Sequence, residues 1–177
     1  MGNGLKSVPQ TLLVVDDDPD VLNATVRVLK KNKYRVIQAD TGNKAIRQAI
    51  DYLPDLILLD AVLPDISGLD VLQSLKNDQT TCHIPIIILS ALKTKPDDQS
   101  EGLETGADHY IARPIGNREL LARVQAFLRL KAAEKDLEKR EGLLKAVVNG
   151  IDARLSIISD SFLIQWANNN FKQAVLT

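Results

Sequence analysis

Apolar residues in this chain gather in short unbroken runs separated by longer amphipathic stretches. The runs are TLLVV (11–15), YRVIQA (34–39), DLILLD (55–60) and IPIIIL (84–89), with a weaker HYIA at 109–112. A strand with one wet face alternates apolar and polar positions, so runs this continuous predict strands buried on both faces, as in a parallel sheet. The stretches between them carry helical spacing. Val21, Leu22, Val26 and Leu29 share one face of a helix that Asp18 caps and Pro19 opens. Ala45, Ile46, Ala49 and Ile50 mark a second helix after Thr41 and Gly42, and Ser67 opens a third with Leu69, Val71, Leu72 and Leu75. A weaker fourth is read over 97–105 and a strong fifth over 117–128. Such a β/α alternation predicts an α/β fold, a doubly wound parallel sheet with right-handed crossovers.

Ligands of doubly wound sheets gather beyond the carboxyl ends of the strands. That rule brings scattered residues to one edge: Asp16 and Asp17 after the first run, Asp60 at the end of the third, Ser90 after the fourth, and Arg113, followed by Pro114, after the fifth. Like-charged neighbours oppose one another's ionisation. The triplet Asp16, Asp17 and Asp18 therefore has two readings, a polar turn with a helix cap or an acidic pocket for a metal cation.

Charge and composition narrow the field. The 177 residues carry 22 basic and 23 acidic side chains, a net charge of -1, so no whole-chain attraction to nucleic acid or to an anionic membrane is expected. This length predicts one domain with an appendage. The single cysteine, Cys82, excludes an intramolecular disulfide framework and fits a reducing cytosol, so a cytoplasmic location is expected. No apolar stretch approaches the roughly 20 residues of a spanning helix, and the tail 1–10, MGNGLKSVPQ, lacks the apolar centre of a signal peptide.

The segments LLVVDDDPDV, LILLDAVLPDISGLDVL, IIILSA and GADHYIARPI together resemble the phosphoacceptor receiver domain of two-component response regulators over residues 11–129. The resemblance implies a flavodoxin-like five-stranded sheet of order 2-1-3-4-5. It implies that Asp60 accepts a phosphoryl group from the phosphohistidine of a histidine kinase or histidine phosphotransfer protein. It further implies Mg²⁺ as cofactor, held by Asp17, Asp60 and the backbone carbonyl of Val62, with Asp16 reaching the ion through water. Clustered carboxylates are then stabilised by the hard cation they hold, while Asp18 keeps its capping role. Ser90 matches the switch hydroxyl, Tyr110 the switch aromatic and Arg113 the phosphate-contacting cation. Val62 and Leu92 match the positions that tune hydrolysis; both are apolar and unable to orient a water, which predicts a long-lived aspartyl phosphate. Arg113 stands where the family has lysine, and its planar guanidinium is not equivalent to an ammonium.

Beyond the receiver the pattern changes. Residues 130–149 continue as helix, with Leu130, Leu137, Leu144 and Ile151 seven apart, interrupted in the seam by Arg140. This is a short coiled-coil pattern, read either as a solvated linker or as a parallel homodimer. Residues 150–177 read as strand, turn, strand and helix, and resemble the incomplete opening of a PAS sensor domain. His83 and His109 are read as structural, Cys82 as a small, partly buried filler and Trp166 as core or interface. The KTKPDD loop at 93–98 is read as a solvated connection.

The resulting expectation is a non-enzymatic, phosphorylation-controlled signalling receiver that relays its state along the C-terminal helix to a downstream module. A phosphorylation-independent dimerisation module, suggested by Arg113, is the alternative. No element that reads nucleic acid follows the receiver.

Overall fold

The computed structural model describes residues 9–90, 107–151, 153, 155–160 and 164–175. The fourth helix expected over 97–105, Leu92 and the 93–98 loop lie outside the described residues. The elements run β1 (Thr11–Val15), α1 (Pro19–Lys31), β2 (Arg35–Ala39), α2 (Gly42–Tyr52), β3 (Leu56–Asp60), α3 (Gly68–Asn77), β4 (Ile86–Ser90), β5 (His109–Ala112), α4 (Asn117–Gly150), β6 (Ser156–Ile158), β7 (Ile164–Ala167) and α5 (Asn169–Val175). The chain divides into two compact units, Met1–Leu128 and Arg129–Thr177.

In the first unit, the described strands form one five-stranded sheet in the order β2-β1-β3-β4-β5, every pairing parallel. Successive side chains of a strand point to opposite faces. Leu13, Val15, Ile57, Leu59, Ile86 and Ile88 accordingly meet Ala45 and Ala49 of α2 and Val71, Leu72 and Leu75 of α3. Leu12, Val14, Leu56, Leu58, Ile87 and Leu89 meet Leu22, Val26 and Leu29 of α1 and Leu120, Val124 and Leu128 of α4. This two-sided burial is why the central runs are unbroken. The edge strands differ: β2 is only partly covered until Ala39, and β5 buries Ile111 alone.

Two of the apolar residues that mark these helices lie outside the core. Ile50 is 45% and Leu69 40% exposed. Each sits one step, about 100°, from the centre of its helix's buried stripe, and at that angle it reaches past the sheet. Cys82 is exposed, which corrects the filler reading; it lies in the turn between α3 and β4, outside either buried cluster.

Carboxylates fix the amino-terminal edge of the sheet. Asp55, one residue before β3, accepts the Thr11 backbone N–H at 2.7 Å, while Asp108, one residue before β5, accepts that of Ile86 at 3.0 Å. Lys76 pairs with Asp108 at 2.9 Å and donates to the Ile84 carbonyl at 3.0 Å. Helix ends are also capped as read: Asp18 accepts from Asp20 and Val21, and Ser67 forms a reciprocal capping box with Asp70.

The second unit contains the distal part of α4, the antiparallel β6–β7 hairpin and α5. Asn168 is fully buried. Its side chain accepts the N–H groups of Leu155 and Phe171 and donates to the carbonyls of Val148 and Ala153, so both ends of the amide are satisfied. Asn169 and Asn170 add bonds to Asn149 and Ile151, and together the three asparagines fasten the hairpin to the end of α4. Along α4, Leu130, Leu137 and Leu144 are exposed. No helix of the described residues is long and apolar enough to cross a membrane.

Candidate functional site

The carboxyl edge of the sheet carries the acidic cluster. Asp16 follows β1, its backbone N–H donating to the Ala39 carbonyl at 3.1 Å, and its side chain is 1% exposed. Asp17 is exposed and Asp60, the last residue of β3, is half-buried. Oxygens of Asp16, Asp17 and Asp60 lie within 4.8 Å of one another. Arg113 faces them from the end of β5: Nη2 donates to Asp16 Oδ2 at 2.5 Å and Nη1 to Asp60 Oδ2 at 3.5 Å. Its backbone N–H donates to the Ser90 carbonyl at 2.7 Å, which fixes the root of the side chain against β4.

The Asp60 carboxyl titrates above its ordinary range. Burial is the main cause, and the negative charges of Asp16 and Asp17 push the same way. Arg113 and the Ala61 N–H oppose it. The sequence suggests repulsion as the source of such a shift; folding adds desolvation as the larger contribution.

These residues suit a small hard dication. Mg²⁺ takes oxygen ligands at about 2.1 Å, so its ligand atoms lie no more than about 4.2 Å apart. Oxygens of Asp16, Asp17 and Asp60 within 4.8 Å of one another stand close to that limit, near enough for an ion to be held directly by some of them and through water by another. Three ionised carboxylates and one guanidinium sum to a formal charge of -2, the complement of a divalent ion.

The other expected site residues occupy distinct places. Ser90 ends β4, is buried, and pairs in register with Ala112. Tyr110 is half-buried in β5, pairs with Ile88 and packs against the α2/α3 side of the core. The Val62 side chain is 69% exposed just beyond Asp60. Leu92 lies outside the described residues. Of the histidines, His83 is exposed and His109 stacks on Phe127 with ring centroids 6.5 Å apart.

One hydrogen-bonded carboxylate in the loop beyond Asp60 escaped the sequence reading. Asp65, in the loop after Asp60, accepts the backbone N–H groups of Gly42 at 2.7 Å and Asn43 at 2.9 Å, and the Asn43 side-chain amide at 2.8 Å. These bonds hold its carboxyl down to about 2, the Asn43 N–H contributing most. Its partners lie 22 and 23 residues away, too far for any local motif to show.

The profile of the response regulator receiver domain matches residues 12–125. The chain belongs to that family. Over 128 residues, the receiver segment is 42% identical to the transcriptional regulatory protein KdpE of Mycobacterium tuberculosis, covering 72% of this chain and 55% of that protein. Response regulator PleD of Caulobacter vibrioides is 37% identical over 169 residues, which cover 92% of this chain and 36% of PleD. The chain thus spans about half the length of KdpE and about a third of PleD. Among solved structures, the receiver domain of the sensor histidine kinase PA1611 from Pseudomonas aeruginosa is 28% identical with a TM-score of 0.62. That match covers 68% of this chain and 98% of that one, whose active-site cleft coordinates a magnesium ion.

Proposed function

We propose that this chain is a phosphorylation-controlled receiver in which Asp60 accepts a phosphoryl group from the phosphohistidine of a histidine kinase or histidine phosphotransfer protein. The observation that carries this reading is the convergence of Asp16, Asp17 and Asp60 with Arg113 at the carboxyl edge of a parallel sheet. A carboxylate oxygen of Asp60 attacks phosphorus, the phosphorus–nitrogen bond of the donor breaks, and the imidazole nitrogen retains the bonding pair. Arg113, by offsetting burial and the two neighbouring carboxylates, favours the ionised nucleophile. Asp17, Asp60 and the Val62 carbonyl would hold Mg²⁺ directly and Asp16 through water; the bound ion would neutralise charge on the transferring group.

After transfer, Arg113 keeps its charge within reach of the new anion, and the Ser90 hydroxyl donates to a phosphoryl oxygen as Tyr110 turns with it. An apolar groove of about 570 Å³ beside the cluster, lined by Val21, Ala24, Leu89, Arg113, Pro114 and Leu120, suits the approach of the donor's helix. The output passes through residues 130–149, pairing as a parallel coiled coil in a homodimer, to a PAS-like segment at 150–177. A cytoplasmic setting fits this chemistry.

Intact mass after incubation with Mg²⁺ and acetyl phosphate, beside Asp60→Asn, tests the reading. A magnesium-dependent phosphoryl adduct on wild type alone is expected. Wild type that binds Mg²⁺ and stays unmodified would turn the assignment toward a phosphorylation-independent interaction domain. The apolar pair at Val62 and Leu92 gives a second expectation: Val62→Asn, Leu92→Glu loses its phosphate faster than wild type, measured by decay of the adduct mass. Equal decay would remove the pair from any role in turnover.

A further inference from the structure

The loop from Ala61 to Gly68 is closed at its base and clipped at its far end. The base is closed by Gly68 N–H donating to the Ala61 carbonyl at 3.0 Å, while Ala61 N–H donates to Leu89 at 3.1 Å. Gly68 lies so close to β3 that an added Cβ would sit 2.3 Å from the Asp60 carbonyl oxygen. The far end is clipped by the three bonds from Gly42 and Asn43 to Asp65. Ile66 seals the same junction, since a Cβ on Gly42 would come within 2.4 Å of Ile66 Cγ1. Residues 62–64 therefore bridge two fixed points, Ala61 and Asp65. With both ends of so short a bridge held, releasing the Asp65 end frees residues 62–64 to move about the Ala61 base. Pro64 fixes its own φ and restricts Leu63.

We infer that Asp65 is a positioning residue for the metal site, clipping the loop onto the first turn of α2 so that the Val62 carbonyl is held toward the acidic cluster. This rests on the magnesium reading above. The carboxylate stays ionised and bonded throughout the neutral range, because the N–H donors hold its titration far below it. The clip also ties α2 to the acceptor strand, so a displacement of α2 reaches the loop that supplies a ligand. Residues that orient metal ligands typically change affinity by 10–100-fold when removed. Since Gly68 and Ala61 still hold the base of the loop, the effect expected here is at the lower end, roughly tenfold.

The test is calorimetric Mg²⁺ titration of the full chain as wild type, Asp65→Ala, Asp65→Asn and Asp78→Ala. Asp78 is the control: it too is an exposed carboxylate accepting backbone N–H groups, from Thr80 and Thr81, but in the turn after α3, before the amino-terminal end of β4. The expected result is a Kd for Mg²⁺ raised roughly tenfold in Asp65→Ala, less in Asp65→Asn, which keeps one acceptor oxygen, and unchanged in Asp78→Ala. The acetyl phosphate reaction should show the same split: a higher half-saturating Mg²⁺ concentration for Asp65→Ala with the rate at saturation unchanged. Equal affinity in wild type and both Asp65 variants would overturn the inference, as would equal weakening in the Asp65 and Asp78 variants. A wild type that binds no Mg²⁺ would remove the magnesium reading itself, and this inference with it.

Discussion

At the residue scale, the carboxylates of this chain divide by what satisfies them. Asp65 is surrounded by N–H donors and titrates at about 2, whereas Asp60 is desolvated beside two other acids and titrates above its ordinary range. The difference is visible in pH dependence. A carboxyl depressed in the folded state contributes stability above its unfolded value of 3.8, and that contribution disappears as pH falls toward about 2. Urea unfolding of wild type and Asp65→Asn should therefore separate the two proteins at neutral pH and bring them together between about pH 4 and about pH 2. A gap that persists below pH 2 would place the Asn variant's defect somewhere other than the lost charge. The chain displayed Asp16, Asp17, Asp60, Ser90 and Arg113 because each ends or follows an apolar run. It concealed Asp65 because the role of that residue exists only once α2 lies beside the loop.

At the element scale, α1 closes with the N–H of Tyr34 on the Leu29 carbonyl and that of Lys33 on the Lys30 carbonyl, and Tyr34 packs against the core cluster that contains Leu29. This hydrogen-bond pattern places the residue after the cap in the left-handed region, where glycine is usual; here Lys33 occupies it at φ 67°. The conformation costs an ordinary residue roughly 1–2 kcal/mol, and glycine returns part of that as greater freedom in the unfolded chain. Lys33→Gly should stabilise the protein by roughly 0.5–1 kcal/mol, read as a higher urea midpoint at unchanged slope. The strands themselves were legible from their unbroken runs, and the caps from Asp18 and Ser67. Less legible was how much of each helix the sheet covers. Periodicity ranks Ile50 with Ala49 and Leu69 with Val71, but coverage depends on the width of the sheet beneath.

At the scale of the whole molecule, α4 is the element that belongs to both compact units. Its first turns bury Leu120, Val124 and Leu128 in the receiver core, while Leu130, Leu137 and Leu144 are exposed further along. The proposed dimer places that second stripe in a helix-to-helix seam. Leu137→Glu, Leu144→Glu should shift the mass by light scattering from dimer to monomer while leaving phosphorylation of Asp60 intact. Wild type that is monomeric at high concentration with phosphate mimic present would end the dimer proposal.

The two-sided burial of the sheet has a further consequence. When both faces are apolar, a central strand displaced by one residue exchanges leucine for leucine and isoleucine for isoleucine, so burial alone barely penalises the error. Asp55 and Asp108 penalise it, because each loses the backbone N–H that the correct register brings to it. A slip would also carry Asp60 away from Arg113 and leave a desolvated charge without its counter-ion. The acids at the strand ends thus proofread the alignment of the sheet, and a chain that passes their check has already assembled its site.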